Sequence, residues 1–219
     1  QIKIEAAKQK TSKHNMENQL TEPTAEDLFW LSADADDLWL MDKLILSRKL
    51  QYECGPVGQD VPRPGYYCVR PCVNMLGLGL GATKYWIDEE THTLTIGHFW
   101  CEWFEGRHLS VDYTNGSCTL VVEGFKSHNT FTKWDRWIKL DEEIELPKIL
   151  EPFAHKYPNI NCEFIGDRLI EVHLRANPDF ENDITEFIPV WQGQNETPPS
   201  GYRYIHYPDI HGRIGAFVK

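Results

Sequence analysis

Apolar residues recur at helical spacing in two stretches of the chain. Over residues 38–50 they fall three to four positions apart, which predicts an amphipathic helix. This helix is expected to end before Cys54, because glycines and prolines crowd the stretch that follows. Residues 141–157 have the same spacing, with Pro147 and Pro152 either in a first turn or breaking the helix in two.

Short runs of aromatic and β-branched residues predict strands elsewhere. The predicted strands are residues 66–73, 85–88, 94–104, 109–113, 118–125, 162–165 and 169–174. Asn115-Gly116 and Gly166-Asp167 are typical of tight hairpin turns, while Pro71 confines its strand to a sheet edge or a strand end. After Pro189 we expect mostly loops. The pattern predicts a mixed, mostly antiparallel α+β fold, without the regular βαβ alternation of a doubly wound sheet.

The N-terminal stretch has a different character. Residues 1–25 are polar and lysine-rich and predict a mobile arm or one loosely docked helix, with a capping box (TAED) at residues 24–27. The first residues lack the apolar segment of a signal peptide, and the chain has no run of about 18 apolar residues that would span a bilayer. We therefore expect a cytoplasmic protein with no membrane partner.

Charge and cysteine content narrow the class of function. The 219 residues include 22 Lys and Arg against 33 Asp and Glu, a net charge of −11. A protein this acidic repels the phosphate backbone of a nucleic acid. The sequence also has no stripe of basic residues, so we do not expect nucleic-acid binding. A chain of this length builds a core without disulfides, so we expect free thiols, as in a reducing cytosol. The six cysteines are Cys54, Cys68, Cys72, Cys101, Cys118 and Cys162.

Three glycines alternate with leucines in residues 75–84 (MLGLGLGATK). Gly77, Gly79 and Gly81 leave backbone N–H groups uncrowded by side chains, as a loop that closes over phosphates requires. Arg70, seven residues upstream of the first glycine, is a cation that can reach the same phosphates. The loop matches neither the P-loop nor the dinucleotide-binding fingerprint. A glycine-rich hairpin without a ligand, and an ordinary surface arginine, are the alternatives.

Residues 99–113 (FWCEWFEGRHLSVDY) run from one predicted strand through a turn into the next. Trp103 and Phe104, beside exposed backbone at a strand end, form a candidate slot for a purine ring. A tryptophan-rich core is the alternative. His98, Cys101 and His108 do not predict zinc, because their spacing fits no standard finger and no fourth ligand is near.

Polar residues alternate with apolar ones in residues 162–180 (CEFIGDRLIEVHLRANPDF). Glu163 and Glu171 lie on facing strands of a predicted hairpin, and His173 and Arg175 share the face of Glu171. Two carboxylates placed in this way can hold Mg²⁺, with the arginine available for a phosphate or a carboxylate. A solvated strand face is the alternative.

In order and spacing these pieces resemble the ATP-grasp superfamily. Its members typically have a helix opening with "DK", a strand ending in "Lys-Pro", a glycine-rich flap, and a hinge of the type "EE-aromatic-apolar-EGRE-x-SVD". Two metal carboxylates follow on late strands, the second in "E-x-N-x-R". The matching residues are Asp42-Lys43, Arg70-Pro71, the glycines of 77–81, the hinge at 102–107, Ser110-Val111-Asp112, Glu163, Glu171 and Arg175. The resemblance covers residues 38–180, and the hinge is its most specific part.

The resemblance implies two α+β lobes, each with a mostly antiparallel sheet and packed helices, that hold ATP and Mg²⁺ between their sheets. It places an N-terminal arm or helix at 1–37, a first lobe with the flap at 38–100, and a second lobe with a C-terminal tail at 101–219. The implied nucleotide-binding residues are Lys43, Arg70, Gly77, Gly79, Gly81, Glu102, Trp103, Phe104 and His108. The implied metal ligands are Glu163, Glu171 and His173, and the implied catalytic residues are Arg70 and Arg175.

Three residues depart from the family pattern. Arg70 replaces the usual phosphate-binding Lys, which keeps the charge but alters its geometry. His108 stands where a Glu usually binds the ribose hydroxyls, and His173 where an Asn usually helps to hold the metal. The domain that normally precedes the grasp and supplies much of the substrate site is not expected in residues 1–37.

The resemblance implies an ATP-dependent carboxylate–amine or carboxylate–thiol ligase that acts through an acyl phosphate on an unknown carboxylate substrate. The departures favour an alternative, a non-catalytic nucleotide-binding or interaction module that retains the fold. The eight tryptophans leave a third interpretation, an aromatic-rich protein that binds a small molecule or a sugar.

Overall fold

The computed structural model describes residues 25–75, 77–127, 133–181 and 183–219. The arm predicted for the start of the chain, and Thr24 of the predicted capping box, lie outside the described residues. The described helices are α1 (Ala25–Ser32), α2 (Lys43–Lys49) and two 3-10 helices at Ala35–Leu40 and Lys148–Phe153.

Strands within the described residues form two antiparallel sheets. They are β1 (Cys54–Pro56), β2 (Gly65–Pro71), β3 (Thr83–Ile87), β4 (His98–Glu102), β5 (His108–Thr114), β6 (Ser117–Phe125), β7 (Arg136–Lys139), β8 (Asn159–Ile165), β9 (Arg168–His173), β10 (Glu186–Trp191), β11 (Arg203–Ile210) and β12 (Arg213–Val218). The small sheet has the order β1-β4-β2-β3, and the large sheet β11-β12-β10-β7-β6-β5-β8-β9. The predicted antiparallel α+β fold with two sheets is confirmed. Packed helices in each lobe are not confirmed, because the described α-helices are only 8 and 7 residues long.

Each sheet comes from its own continuous stretch of chain. The small sheet lies between Cys54 and Glu102, and the large sheet between His108 and Val218. Residues 103–107 link the two, and we call them the hinge segment. The division into lobes after residue 100 stays a prediction, and the two sheets themselves divide after Glu102.

The main hydrophobic core lies against the large sheet. Leu40, from the first 3-10 helix, and Leu46, from α2, pack with sheet residues such as Val111, Val121 and Ile160, and each of the five is at most 1% exposed. Burial of an aliphatic side chain of this size contributes about 1.5 to 3 kcal/mol to the free energy of unfolding. This core fixes α2 against the large sheet, where it contacts β9.

The helix predicted over residues 38–50 is two separate elements. Ala35–Leu40 is a 3-10 helix, and α2 begins at Lys43. Between them Asp42 has an extended backbone (φ −89°, ψ 105°), and its carboxylate accepts a hydrogen bond from the Ile45 N–H at 3.0 Å. Aspartate is a preferred N-cap. The residue that apolar spacing places inside one helix therefore starts a new one.

Three further elements differ from prediction. Residues 141–157 contain only the short 3-10 helix Lys148–Phe153, because Pro147 keeps an extended backbone in front of it (φ −54°, ψ 130°). β4 begins at His98 rather than at residue 94, since Gly97 takes a positive φ of 84° and the preceding residues form turns. Around and after Pro189, where loops were expected, β10, β11 and β12 complete the large sheet.

The cysteines and helices bear on two other expectations. All six cysteines are free, as predicted. Cys54, Cys101 and Cys68 lie side by side across three strands of the small sheet, and burial raises the pKa of Cys101 to about 12. Its thiol is therefore protonated at neutral pH.

No helix of the described ranges is long and apolar enough to cross a bilayer. The cytoplasmic location stays a prediction.

The hinge segment is held against the turn between β8 and β9. Gly106 has a φ of 133°, and a Cβ at this position would lie 2.7 Å from the Cα of Gly166. The Gly166 N–H donates to the carbonyl oxygen of Arg107 at 2.8 Å. The backbones approach too closely for any side chain, so this turn of the hinge segment requires glycine.

We expect Gly106→Ala to destabilise the protein by about 3 kcal/mol, because it adds a backbone collision to an unfavourable φ. Gly193→Ala is the matched control, since Gly193 also has a positive φ (84°) but a Cβ added there would meet nothing within 4 Å. The control should lose only about 1 kcal/mol. Urea unfolding of both variants measures the difference. Equal losses would show that the close approach to Gly166 is not a constraint.

Candidate functional site

A cavity of about 630 Å³ lies where the two sheets meet, and we call it the first cavity. Strands β2 and β4 of the small sheet, the hinge segment, and strands β5, β6, β8 and β9 of the large sheet all contribute to its wall. The residues that the sequence nominated and that line it are Lys43, Arg70, Gly79, Glu102, Trp103, Phe104, His108, Glu163 and Glu171. The fold therefore brings together residues from widely separated parts of the chain.

Aromatic side chains line the hinge side of the first cavity. The ammonium of Lys84 lies 4.2 Å from the ring centre of Trp103, a cation–π contact. Phe104 packs edge-to-face on Tyr52 with ring centres 4.9 Å apart. Glu102 is already engaged, because its Oε1 accepts a hydrogen bond from the Glu53 N–H at 3.0 Å. The hinge segment thus presents an apolar, flat-sided wall held in place by neighbouring rings.

The glycine-rich loop connects β2 to β3 and borders the cavity through Gly79, Leu80 and Ala82. Gly77 and Gly79 have positive φ values of 65° and 63°, so this backbone needs glycine. Gly81 has a different role from the predicted ligand contact. It lines neither described cavity, and a Cβ there would lie 2.9 Å from the Pro71 side chain. Gly81 therefore seats the loop against the end of β2.

Arg70 enters the cavity wall from β2 and is only 8% exposed. Its Nη2 donates to the Ile170 carbonyl oxygen at 3.0 Å, whereas its Nε has no hydrogen-bond partner among the described residues. A buried donor left without a partner costs about 1 to 3 kcal/mol. The guanidinium thus keeps hydrogen-bonding capacity at the cavity that the protein does not use.

The lining of the first cavity is electrically balanced, although the chain as a whole is acidic. Its five basic residues are Lys43, Arg70, Lys84, Arg107 and Lys126, and its five acidic residues are Glu102, Glu105, Glu123, Glu163 and Glu171. The chain carries −11. Cations are therefore concentrated at this cavity relative to the rest of the protein, which favours an anionic ligand here over other surfaces.

Two carboxylates face each other on β8 and β9, where Glu163 and Glu171 are direct cross-strand partners. Lys43 Nζ lies 2.9 Å from Glu171 Oε1, and His108 Nε2 lies 3.3 Å from Glu163 Oε2. Burial alone would raise the pKa of Glu163, but the hydrogen bond and charge of His108 outweigh burial and hold that pKa below its usual range. Each carboxylate of the pair thus has a basic partner of its own.

The predicted metal ligand His173 has a different set of partners. Its Nδ1 lies 2.9 Å from Glu26 Oε1, and its Nε2 lies 3.5 Å from Glu171 Oε1. Burial opposes the charged imidazole, yet the hydrogen bond to Glu26 and the charge of Glu171 raise the pKa of His173 above its usual value. Both ring nitrogens thus face carboxylates within the protein. A role for His173 as a metal ligand stays a prediction.

Glu26 of α1 also binds Arg175, whose Nε donates to Glu26 Oε2 at 2.6 Å. Burial would raise the pKa of Glu26, but the hydrogen bond from His173 and the charges of His173 and Arg175 lower it to about 2. Arg175 and His173 do not line the first cavity. They line a second cavity of about 450 Å³, together with Gly77. The second cavity shares Gly79, His108, Trp134 and Glu163 with the first.

The remaining carboxylates fit Mg²⁺ by their chemistry. Mg²⁺ is usually bound by one or two carboxylates, with phosphate oxygens and water completing its octahedral shell. Glu163 and Glu171 provide two carboxylates on the first cavity, and each pairs with its basic neighbour through one oxygen only. The described ranges contain no group of three or more His, Cys, Asp or Glu side chains that would enclose a cation. A metal here would therefore need a phosphate ligand to complete its shell.

Ser110 and Asp112 have a structural role. Asp112 accepts hydrogen bonds from the Asn161 side chain at 2.8 Å and from the Asn177 N–H at 3.0 Å. Asn161 also donates to Ser110 Oγ at 2.8 Å. This buried network holds the loop that follows β9, and with it Arg175, against the large sheet.

Residues that sequence reasoning missed at the two cavities include Lys84, Trp134 and Glu26. Lys84 had a local signal, since a lysine at the start of a strand directly after a glycine loop is placed to face the same ligand. Trp134 and Glu26 had none. Their positions depend on long-range packing, Trp134 at 4.5 Å from the His108 ring and Glu26 on His173.

Comparison with known proteins gives the following picture. No family model matches the sequence, and no curated protein sequence matches it. Among solved structures the chain is similar to a protein assigned to the ATP-grasp superfamily from Archaeoglobus fulgidus, with a TM-score of 0.47 and 16% identity over 82% of this chain. It is similar to N5-carboxyaminoimidazole ribonucleotide synthetase from Thermotoga maritima, with a TM-score of 0.46 and 12% identity over 82% of this chain. It is also similar to the ATP-grasp ligase PsnB solved with a minimal precursor, with a TM-score of 0.40 and 13% identity over 65% of this chain.

Two of these three proteins are described as members of the family that the sequence resembles. The chain spans 64%, 67% and 53% of the lengths of the three structures, in the order given. Similarity at these identities and TM-scores does not establish the reaction of this chain, which is a matter for the site itself.

Lys43 is the cation that holds the two facing carboxylates together. We expect Lys43→Met to destabilise the protein by about 3 kcal/mol, because it leaves the partly buried Glu171 beside Glu163 with only the longer contact to His173 as a counter-charge. Adding Glu171→Gln to this variant should restore at least half of the loss, since the repulsion is then removed. Lys148→Met is the control, because Lys148 is exposed and lines neither cavity. Urea unfolding at low salt measures the three variants and the wild type. A double variant no more stable than Lys43→Met would contradict this role.

Proposed function

We propose that the protein binds Mg-ATP in the first cavity and uses it to activate a carboxylate for ligation to an amine or a thiol. One observation carries the proposal. Nine of the thirteen residues that the sequence nominates line a single cavity of about 630 Å³ between the sheets. This volume lies in the range of small-molecule sites, about 300 to 1,000 Å³.

The lining of the first cavity combines the two kinds of group that a nucleotide needs. Trp103 and Phe104, with Ile165 and Ile170 of the large sheet, supply the apolar walls that a purine ring needs. Arg70 and Lys84 supply positive charge for the phosphates, and Arg70 has an unused buried donor. The glycine loop borders the same region through Gly79, Leu80 and Ala82, and Gly79 has no side chain to keep a ligand from the backbone.

In this proposal Glu163 and Glu171 hold Mg²⁺. A bound Mg²⁺ supplies neutralisation of the charge that develops on the transferred phosphoryl group. Lys43 and His108 orient the two carboxylates and offset their repulsion, so that they are ready to bind a cation as soon as phosphate oxygens arrive. Replacing either partner would therefore alter the metal site without touching the nucleotide.

The chemistry that fits this arrangement is a two-step ligation. A carboxylate oxygen of the substrate attacks the γ-phosphorus of ATP, ADP leaves, and an acyl phosphate forms. An amine or thiol then attacks the carbonyl carbon, phosphate leaves, and the nucleophile gives up its proton. Such a reaction depends on positioning and charge neutralisation, so a nucleophilic side chain of the protein is not needed. Arg175, at the adjoining cavity, is placed to steady the acyl phosphate.

One observation favours a second candidate, a nucleotide-binding module without turnover. Glu26 already occupies Arg175 and His173 with short ion pairs, at 2.6 and 2.9 Å. Cations that are satisfied within the protein are less available to a transferred phosphoryl group. The two candidates separate on ADP formation: a ligase releases ADP when carboxylate and nucleophile are present together, and a binding module does not.

Binding itself is the first test. A ligand at 100 times its Kd stabilises the folded state by about 2.7 kcal/mol. For a protein of this length that corresponds to a rise in Tm of roughly 5 to 10 °C. We therefore expect ATP with Mg²⁺ at millimolar concentration to raise the Tm by several degrees. An unchanged Tm, together with no heat in calorimetry, would end the proposal for the first cavity.

The second test separates metal from phosphate contacts. Glu171→Gln should lower ATP affinity at least tenfold in Mg²⁺ but leave the affinity in EDTA unchanged, because its effect passes through the metal. Arg70→Ala should lower affinity in both conditions, because its contact is with phosphate directly. Glu143→Gln and Arg48→Ala make the same chemical changes at exposed positions away from the cavity. If Glu171→Gln binds ATP as the wild type does in both conditions, Glu163 and Glu171 do not form a metal site.

A further inference from the structure

The second cavity adjoins the first at the end where the two carboxylates lie. Gly79, His108, Trp134 and Glu163 belong to both walls. A molecule held in the second cavity therefore reaches the same residues as the phosphate end of a nucleotide held in the first. Its volume, about 450 Å³, also lies in the range of small-molecule sites.

Aromatic rings dominate the wall of the second cavity. Trp134, Trp137, Trp191 and Phe180 all line it, and the rings of Trp134 and Trp137 lie 4.8 Å apart. Three of the chain's eight tryptophans are thus gathered at one cavity. Flat π-faces of this kind favour a flat, apolar ligand body over a flexible or strongly polar one.

A glycine on strand β6 leaves the space in which two of these rings pack. Gly124 on β6 has no side chain, and a Cβ there would lie 2.8 Å from Trp134 and 2.9 Å from the Trp137 ring. No other feature of Gly124 requires glycine, because its φ is not in the positive range. Because Gly124 has no side chain, Trp134 and Trp137 can pack directly on strand β6.

Charged residues of both signs complete the wall. Arg213, only 7% exposed, donates from Nη1 to Asp179 Oδ2 at 2.7 Å. Among the described residues, Arg213 Nε and Asp179 Oδ1 have no hydrogen-bond partner. A neighbouring donor and acceptor with unused capacity suit the polar edge of a heteroaromatic ring. Arg175, with 21% of its side chain exposed, lines the same cavity and supplies the cation for a carboxylate.

We propose that the second cavity binds the acceptor substrate and that this substrate is a carboxylic acid on a flat, aromatic or heteroaromatic body. The inference rests on the proposed function, since it places the carboxylate beside the phosphate end of the first cavity. Trp137, Trp191 and Phe180 select the ring, Arg213 with Asp179 the polar edge, and Arg175 the carboxylate. The substrate carboxylate competes with Glu26 for Arg175.

A matched set of probes tests each part of this recognition. Indole-3-acetate carries an aromatic ring, a ring N–H and a carboxylate. Indole-3-acetamide lacks the carboxylate, and cyclohexylacetate lacks the aromatic ring. We expect indole-3-acetate to bind at least tenfold more tightly than either of the others in calorimetry, with a non-hydrolysable ATP analogue and Mg²⁺ present.

Trp191→Leu is the informative variant, because Trp191 lines the second cavity and not the first. It should weaken indole-3-acetate binding at least tenfold and leave the affinity for the ATP analogue unchanged. Trp86→Leu, on an exposed strand position outside both cavities, should change neither. Phe180→Leu provides an independent lesion of the same wall, in case Trp191→Leu fails to fold.

The outcomes separate the two proposals. Wild-type protein that binds the ATP analogue but shows no preference for indole-3-acetate over both other probes overturns the inference and leaves the proposed function standing. The same holds if both wall variants fold and bind indole-3-acetate as the wild type does. Wild-type protein that fails to bind the ATP analogue overturns the proposed function, and the acceptor role of the second cavity falls with it.

Discussion

Two carboxylates that face each other across neighbouring strands are the constraint on which the rest of the site depends. Glu163 and Glu171 are direct cross-strand partners, and like charges in that position destabilise a sheet. The protein offsets this repulsion with one base on each side, Lys43 from α2 and His108 from β5. The placement of α2 over β9 therefore follows from charge as well as from its apolar face.

A series of side chains with alternating acidic and basic character extends from Glu171. Glu171 is followed by His173, then Glu26, then Arg175, each within 3.5 Å of the next. Partly buried charges that pair with one another are sensitive to a new ion nearby. An anion or cation entering the cavities thus exchanges partners with an existing network, which gives helix α1 a direct electrostatic connection to the site.

Local signals in the sequence were sufficient for some elements and not for others. Asn115 and Gly116, with φ values of 50° and 83°, close the predicted hairpin because their conformational preference is a property of two residues alone. The break at Asp42 was missed by the apolar spacing, which runs through it, and only the resemblance indicated a helix that opens at Asp42-Lys43. Strand β10 was missed because it pairs with β7, which lies far from it in the chain. The β11–β12 hairpin was missed although its pairing is local and it turns at His211 and Gly212, which both have positive φ. In the site, the hinge residue Trp103 could be found from a local motif, whereas Glu26 arrives from a distant helix.

Strand β9 lies at an edge of the eight-stranded sheet, and edge strands are the places where one molecule can add to another by backbone pairing. Here that edge carries Glu171 and His173, and α2 lies against it. Charged side chains and a covering helix are two of the ways in which proteins keep such edges from self-association. Glu171, a candidate metal ligand, therefore also helps to keep the β9 edge from pairing with another molecule. Replacing Glu171 and His173 by apolar residues would remove these polar side chains and leave the β9 edge more open to strand pairing with a second molecule.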